Sequence, residues 1–217
     1  MRVVDLSGEI YDGQKCHFPV TIEDYVRYED TVERFEPPCR GFAAKALRMC
    51  DHTATHVDAP SHFFAEGKNI DEMGVEAFCG DAVVADFSDE SREGGELGVG
   101  AFESNLARRG LALREGDVVL FHLSGAAGPV YAGLSKALSE HLVARQVKLV
   151  GTDQGSIDWG GNKGRPAHMV LLGAGVPVIE GLVNLRSVSA GRFYFLGLPL
   201  KLRGGTGSPV RAVALVE

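Results

Sequence analysis

Within the eleven residues His52-Thr53-Ala54-Thr55-His56-Val57-Asp58-Ala59-Pro60-Ser61-His62 the chain places three of its seven histidines and a carboxylate. All four occupy even positions. An extended backbone aims such residues to one face, whereas a helix at 100° per residue turns Asp58 well away from His52. Pro60 and the β-branched Thr53, Thr55 and Val57 favour the same extended or irregular path. The helical HExxH pattern is excluded, because Thr53 stands where its glutamate is needed. The segment therefore reads as a ligand-bearing strand or loop, and the rest of the chain has to supply the frame that holds it.

Imidazole nitrogen and carboxylate oxygen are ligands for zinc and manganese, and a catalytic site keeps one position open for water. The other histidines carry less. His17, in the loop HFPV, is a candidate pocket residue; His122 is expected to be hydrogen-bonded near a strand end, and His141 to lie solvated on a surface helix. The four cysteines, Cys16, Cys39, Cys50 and Cys79, form no CxxC pair and read as reduced filler. Cys50 has only Arg48 nearby to lower its pKa.

The frame reads as α/β. Strands are expected from residue 3 to 6, at 81–87, 117–123, 147–151, 176–179, 192–200 and 210–216, with helices at 101–109, 134–145 and 167–172. Residues 21–38 show no clear period and read as an arm or lid, and a Gly- and Glu-rich break spans 88–100. No Pro/Ser-rich linker divides the 217 residues, so one domain over 1–217 is expected. With 22 basic and 29 acidic residues the formal charge is −7, which repels a phosphate backbone, and nucleic acid is not an expected partner. Asp5 and Glu9 interrupt any apolar run at the N-terminus, so no signal or membrane segment is expected there and the location is read as cytoplasmic.

Weaker signals remain. The loops Gly151-Thr152-Asp153 and Ser156-Ile157-Asp158-Trp159 follow a strand, where α/β proteins present functional loops. Trp159 with Phe63 and Phe64 can form an aromatic wall, and Lys201 and Arg211 are candidates for binding a carboxylate. The GGTG at 204–207 lacks the Lys-Ser/Thr of a phosphate loop.

The run HTATHVDAPSHF, followed by Ala167-His168, Ile179-Glu180-Gly181-Leu182, Leu198-Pro199-Leu200-Lys201-Leu202 and Ser208-Pro209-Val210-Arg211-Ala212, resembles the cyclase family that contains bacterial kynurenine formamidase and isatin hydrolase. The likeness runs from about residue 50 to the end and rests on the specific motif HxGTHxDxPxH, with Ala54 in place of the family's glycine. It implies a swivelling β/β/α domain with a mixed sheet and flanking helices, assembled as a homodimer or higher homo-oligomer. It also implies His52, His56 and Asp58 as ligands of one metal, and His168 and Glu180 as ligands of a second with Asp58 and Glu180 bridging. His62 matches the general acid/base. One or two ions per subunit, zinc or manganese, are implied.

The reaction that follows from this resemblance is attack of metal-bound hydroxide on a small-molecule amide, lactam or lactone, with His62 protonating the leaving group. Phe63, Trp159 and His17 are the candidate substrate contacts. The N-terminal third departs from the formamidases, reading YDGQKCHFPV where they carry Trp-Pro-Gly-Asp, so N-formylkynurenine is one candidate substrate among several. Two competing readings are a non-catalytic metal- or ligand-binding member of the same fold, motivated by Ala54, and a metal-dependent cyclase or dehydratase.

Overall fold

Apolar runs with no polar face have to be covered on both sides, and this decides the architecture. In the computed structural model, which describes residues 1–90, 94–125 and 128–217, the chain opens with β1 (Arg2–Asp5), β2 (Thr21–Val26), β3 (Ala44–Arg48), β4 (His56–Asp58) and β5 (Cys79–Asp86). The short strand β6 (Glu96–Leu97) leads into α1 (Val99–Arg108), and β7 (Val118–His122) is followed by β8 (Ser124–Gly125), β9 (Gly128–Pro129) and β10 (Gly133–Leu134). Then come α2 (Lys136–Ala144), β11 (Leu149–Thr152), α3 (Pro166–Gly173), β12 (Val178–Glu180), β13 (Phe193–Leu196), β14 (Gly207–Pro209) and β15 (Val213–Val216).

Nine strands form one mixed sheet in the order β1-β15-β13-β5-β7-β11-β12-β4-β14. Its centre, β5-β7-β11-β12, is parallel, and both flanks are antiparallel. The period of two along these strands divides the interior. Val83, Ala85, Val119, Phe121, Val150 and Val178 face the helices, where Phe102 and Leu106 of α1, Leu138 and Leu142 of α2, and Leu171 and Leu172 of α3 cover them. Ala82, Val84, Val118, Leu120, Leu149 and Ile179 face the other way and meet Val57 of β4, Phe195 of β13 and Ala214 of β15. Strands from both flanks share this second core, so the sheet curls around it. Leu6 closes the curl: its N–H donates to Ala212 O and its carbonyl accepts from Val183 N–H.

The α/β class and the mixed sheet with flanking helices agree with the sequence reading. Residues 21–38 differ from it. Thr21–Val26 forms β2 and pairs with β3 as a separate antiparallel hairpin. Its Tyr25 is 74% exposed and its partner strand's Leu47 56%, so neither strand has a buried face to impose a period on its side chains. Part of the 88–100 break lies outside the described residues; of the rest, Glu96–Leu97 pairs in parallel with Gly133–Leu134. No helix among the described residues is long and apolar enough to cross a membrane.

Phe102 tests the helix-side core, because it is fully buried with its ring centroid 5.5 Å from that of Phe121. Phe102→Ala is expected to cost about 3–5 kcal/mol in urea unfolding. Tyr194→Ala, on an exposed strand face, is expected to stay within about 0.5 kcal/mol. Equal losses at the two sites would contradict this division of core and surface.

Candidate metal centre and its cavity

Three short elements bring the polar residues together. Strand β4 lies between β12 and β14, and its register sets His56 opposite Glu180 and Asp58 opposite Val178 and Gly207. Helix α3 supplies His168 from its first turn. The extended path expected for 52–62 is kept only in part. His56 and Asp58 share a strand face, but Ala54 has φ 55° and Pro60–His62 is a single 3-10 turn. Pro60 starts that turn with a fixed φ, and the left-handed residue redirects the chain before β4. His52 and His62 therefore reach the site from bends.

Asp58 is 1% exposed and stands at the centre. His56 Nε2 lies 3.4 Å from its Oδ1 and 3.7 Å from Glu180 Oε2; His168 Nε2 lies 3.3 Å from its Oδ2 and 3.2 Å from Glu180 Oε1. His52 Nδ1 approaches Oδ1 to 2.6 Å. Two triads result, His52/His56/Asp58 and Asp58/His168/Glu180, each with ligand atoms within 4.8 Å of one another. Despite the nearby His168 nitrogen, Asp58 Oδ2 makes no hydrogen bond. A buried carboxylate oxygen without a donor calls for another positive partner. Ligands about 2.1 Å from a tetrahedral zinc stand about 3.4 Å apart, which matches the contacts of His56 and His168. These residues could hold a divalent cation.

The second nitrogen of each imidazole is already committed. His168 Nδ1 donates to Asp158 Oδ2 at 2.5 Å, and the same carboxylate accepts the N–H groups of Ala167 and His168. His56 Nδ1 donates to Ala54 O at 2.9 Å. Thr206 Oγ1 donates to Asp51 Oδ2 at 3.0 Å and so accepts from His52 Nε2 at 2.9 Å. Each arrangement leaves the other nitrogen facing the carboxylates, as ligating imidazoles require. Gly207 is needed beside His52, since a Cβ there would come 2.6 Å from His52 Cε1. Of these partners, Asp158 carried only a loop signal in the sequence, Thr206 lay in the GGTG run set aside as a phosphate loop, and Asp51 carried none.

Electrostatics follow from burial and pairing. Burial disfavours the charged form of His56 and His168, but the carboxylates outweigh it: Asp58 and Glu180 push His56 up to about 9, and Asp158, Asp58 and Glu180 push His168 up to about 11. Burial also raises Asp58, and the close imidazoles of His168, His52 and His56 reverse this to hold it well below the usual carboxylate range. His62 goes the other way. Burial, helped by the neighbouring histidines, pushes it down to about 4, so it is neutral at pH 7.

Above the centre opens a cavity of about 610 Å³ whose walls include His62, Phe63, His17, Lys15, Ser156 and Arg165. Phe63 stacks on His168 with centroids 4.7 Å apart, and the His62 ring lies 3.9 Å from that of His52. Trp159 departs from its expected place on the wall: it is 47% exposed, packs on Gly161 and does not line the cavity. Phe64 faces a separate groove of about 660 Å³. Arg211 is engaged by Asp5 at 2.6 Å on the surface, and Lys201 is exposed away from the cavity. Burial raises the Cys50 thiol, which leaves it a poor nucleophile. His141, expected to be solvated, is instead paired with Glu103 at 2.7 Å.

The chain matches the family model described as "Putative cyclase" over residues 4–159. It is 34% identical over 174 residues to the kynurenine formamidase of Salinibacter ruber, covering 77% of each chain. Among solved structures it resembles isatin hydrolase A from Labrenzia aggregata, with TM-score 0.82, 26% identity and coverage of 100% of this chain and 94% of that one. It also resembles a predicted metal-dependent hydrolase from Bacillus stearothermophilus, with TM-score 0.71, 25% identity and coverage of 98% and 97%.

Two outcomes are expected from this geometry. A cation must displace protons from His56 and His168, whose affinities lie above neutrality, so the apparent metal affinity of the stripped protein should rise between about pH 6 and about pH 8.5 with proton release seen by calorimetry. The sign is fixed: raised histidine pKa values stabilise the metal-free fold at low pH and lose that effect as pH climbs through them. An affinity indifferent to pH would contradict it. Ala54→Gly removes about 1–2 kcal/mol of left-handed strain and returns about 0.5–1 kcal/mol of chain entropy. The thermal midpoint should therefore rise slightly, and a fall would contradict the strained conformation.

Proposed function

The chain belongs to the cyclase family, and from that membership we propose that it is a metal-dependent hydrolase opening a small formamide or cyclic amide, with a lactone as the related ester. The observation that carries this reading is the pair of buried triads sharing Asp58, whose Oδ2 lacks a donor, beneath a cavity of about 610 Å³. In this reading His52, His56 and Asp58 hold one divalent ion and Asp58, His168 and Glu180 a second. The mixed nitrogen and oxygen donors suit zinc or manganese. A cation held there supplies Lewis acidity toward a carbonyl and lowers the pKa of water toward neutrality.

The remaining steps fall to the chain's own groups. His62, neutral and at the cavity wall, takes a proton from the attacking water and returns it to the departing nitrogen. Phe63 and His17 border the place of the acyl substituent. An aryl ring fits beside Phe63, which favours an arylformamide or an isatin-like lactam, and N-formylkynurenine belongs to the first group. No buried serine or cysteine nucleophile is required: Ser61 lies in the 3-10 turn with His62 and does not line the cavity. Further parts of the proposal are a single catalytic domain over residues 1–217, a cytoplasmic location and a homodimer or higher oligomer. The exposed Tyr25, Tyr28 and Leu47 of the arm that contains β2 and β3 support the last.

The test couples metal to turnover. The purified protein is expected to contain zinc or manganese by elemental analysis and to hydrolyse one of a panel of formamides, lactams and lactones. His56→Ala should lose most of the metal and lower kcat/KM by more than about 100-fold, since even outer partners of metal ligands cost 10–100-fold. Full activity after exhaustive chelation would overturn the proposal.

A further inference from the structure

Three arginines of the chain are half-buried among the described residues: Arg109, Arg165 and Arg192. Two of them face acids, Arg109 with Asp86 at 3.4 Å and Arg192 with Asp117. Arg165 has no carboxylate partner among the described residues; its guanidinium makes one long contact, Nη1 to Ser156 Oγ at 3.5 Å. It lines the cavity above the metal centre. A partly desolvated guanidinium without an anion is costly unless something arrives to pair with it.

The backbone around it is built at a cost. Arg165 precedes Pro166 at the start of α3 and has φ 46° and ψ 52°. The left-handed region is rare for a long side chain, and such residues concentrate where a site needs them. Nothing else on the cavity wall can satisfy the charge. Lys15 adds a second cation, and the one acid among the described wall residues, Glu180, already faces His56 and His168 and accepts the Ile157 N–H at its Oε1. The free charge of the cavity is therefore positive, and a planar guanidinium selects a carboxylate by two parallel hydrogen bonds.

We propose that Arg165 is the receptor for a carboxylate that the substrate carries in addition to the amide that is cut, so that this enzyme prefers anionic arylamides over neutral ones. The proposal rests on the hydrolase reading and adds the substrate's charge to it. Arg165 acts here on binding: it anchors the substrate's carboxylate while His62 and the triads face the scissile carbonyl. The carboxylate meant is present before the reaction, as distinct from one that lactam opening would create.

Two probes separate these possibilities, N-formylanthranilate and its neutral counterpart formanilide, each assayed with the metal-loaded protein. The wild type is expected to show the lower KM for N-formylanthranilate. Arg165→Met should raise that KM by about 10- to 100-fold, the range for a hydrogen bond to a charged group, with a smaller change in kcat and little change for formanilide. Arg165→Lys should restore part of the loss, and Arg165→Gly, which the left-handed backbone accepts, should repeat it if the charge and not a fold defect is responsible. Binding of anthranilate against aniline by calorimetry gives a readout independent of turnover. If no amide is hydrolysed while anthranilate binding still depends on Arg165, the hydrolase reading fails and the anion site stands. Equal effects of Arg165→Met on both substrates, or an effect confined to inhibition by the carboxylate product of a lactam, would overturn the inference.

Discussion

The structure around the cavity depends on one buried carboxylate. Asp58 is 1% exposed on a strand of three residues, and removing such a charge from water costs several kcal/mol unless cations and donors replace the solvent. The replacements come from separate parts of the chain: His52 before the strand, His56 on it, and His168 from α3. His168 can reach Asp58 only because β4 pairs beside β12 and α3 packs on the sheet through Leu171 and Leu172. The sheet order and the site are thus the same constraint seen from two sides. This accounts for a strand as short as β4 being paired on both edges.

Much of this was legible in the sequence, and the rest was hidden for physical reasons. The runs at 81–87, 117–123 and 147–151 announced central strands because both faces of those strands are buried, leaving no polar alternation to confuse them. The hairpin β2-β3 was invisible for the opposite reason, having no buried face. The histidines and Asp58 stood out by density, and even spacing correctly paired His56 with Asp58. It did not foresee the left-handed Ala54, because a bend of that kind leaves its mark in glycine, and here the residue is alanine. His168 and Glu180 are more than a hundred residues from Asp58 in sequence and became candidates only through resemblance to a family. Arg165 gave no signal at all: one arginine before a proline is ordinary, and its meaning lies in the absence of an acid around it.

Strain and function coincide at two points on the cavity. Four non-glycine residues of the described chain have positive φ, namely Ala54, Gln146, Arg165 and Asn184. Ala54 and Arg165 both line the cavity. Ala54 turns its carbonyl to the Nδ1 of His56, and Arg165 brings its guanidinium to the wall; in each case the unfavourable torsion sets the direction of a polar group that the site uses. Strain of this size persists only where the surroundings over-determine it, and here the surroundings are β4 on one side and the start of α3 on the other.

The three imidazoles near Asp58 are held by three different acceptors, and the difference has consequences. A carboxylate, Asp158, takes the Nδ1 proton of His168; a backbone carbonyl, Ala54, takes that of His56; a hydroxyl, Thr206, takes the Nε2 proton of His52 and is itself polarised by Asp51. A carboxylate pushes the most electron density into its imidazole, a neutral carbonyl less, and a hydroxyl the least. His168 should accordingly be the strongest of the three donors and His52 the weakest. His52 also turns the opposite nitrogen, Nδ1, toward Asp58, which brings its ring close to the backbone of β14 at Gly207. The two triads joined at Asp58 are therefore unequal by construction, and the one containing His168 and Glu180 has both the more basic imidazole and the second carboxylate. A cation should favour that triad over the one with His52.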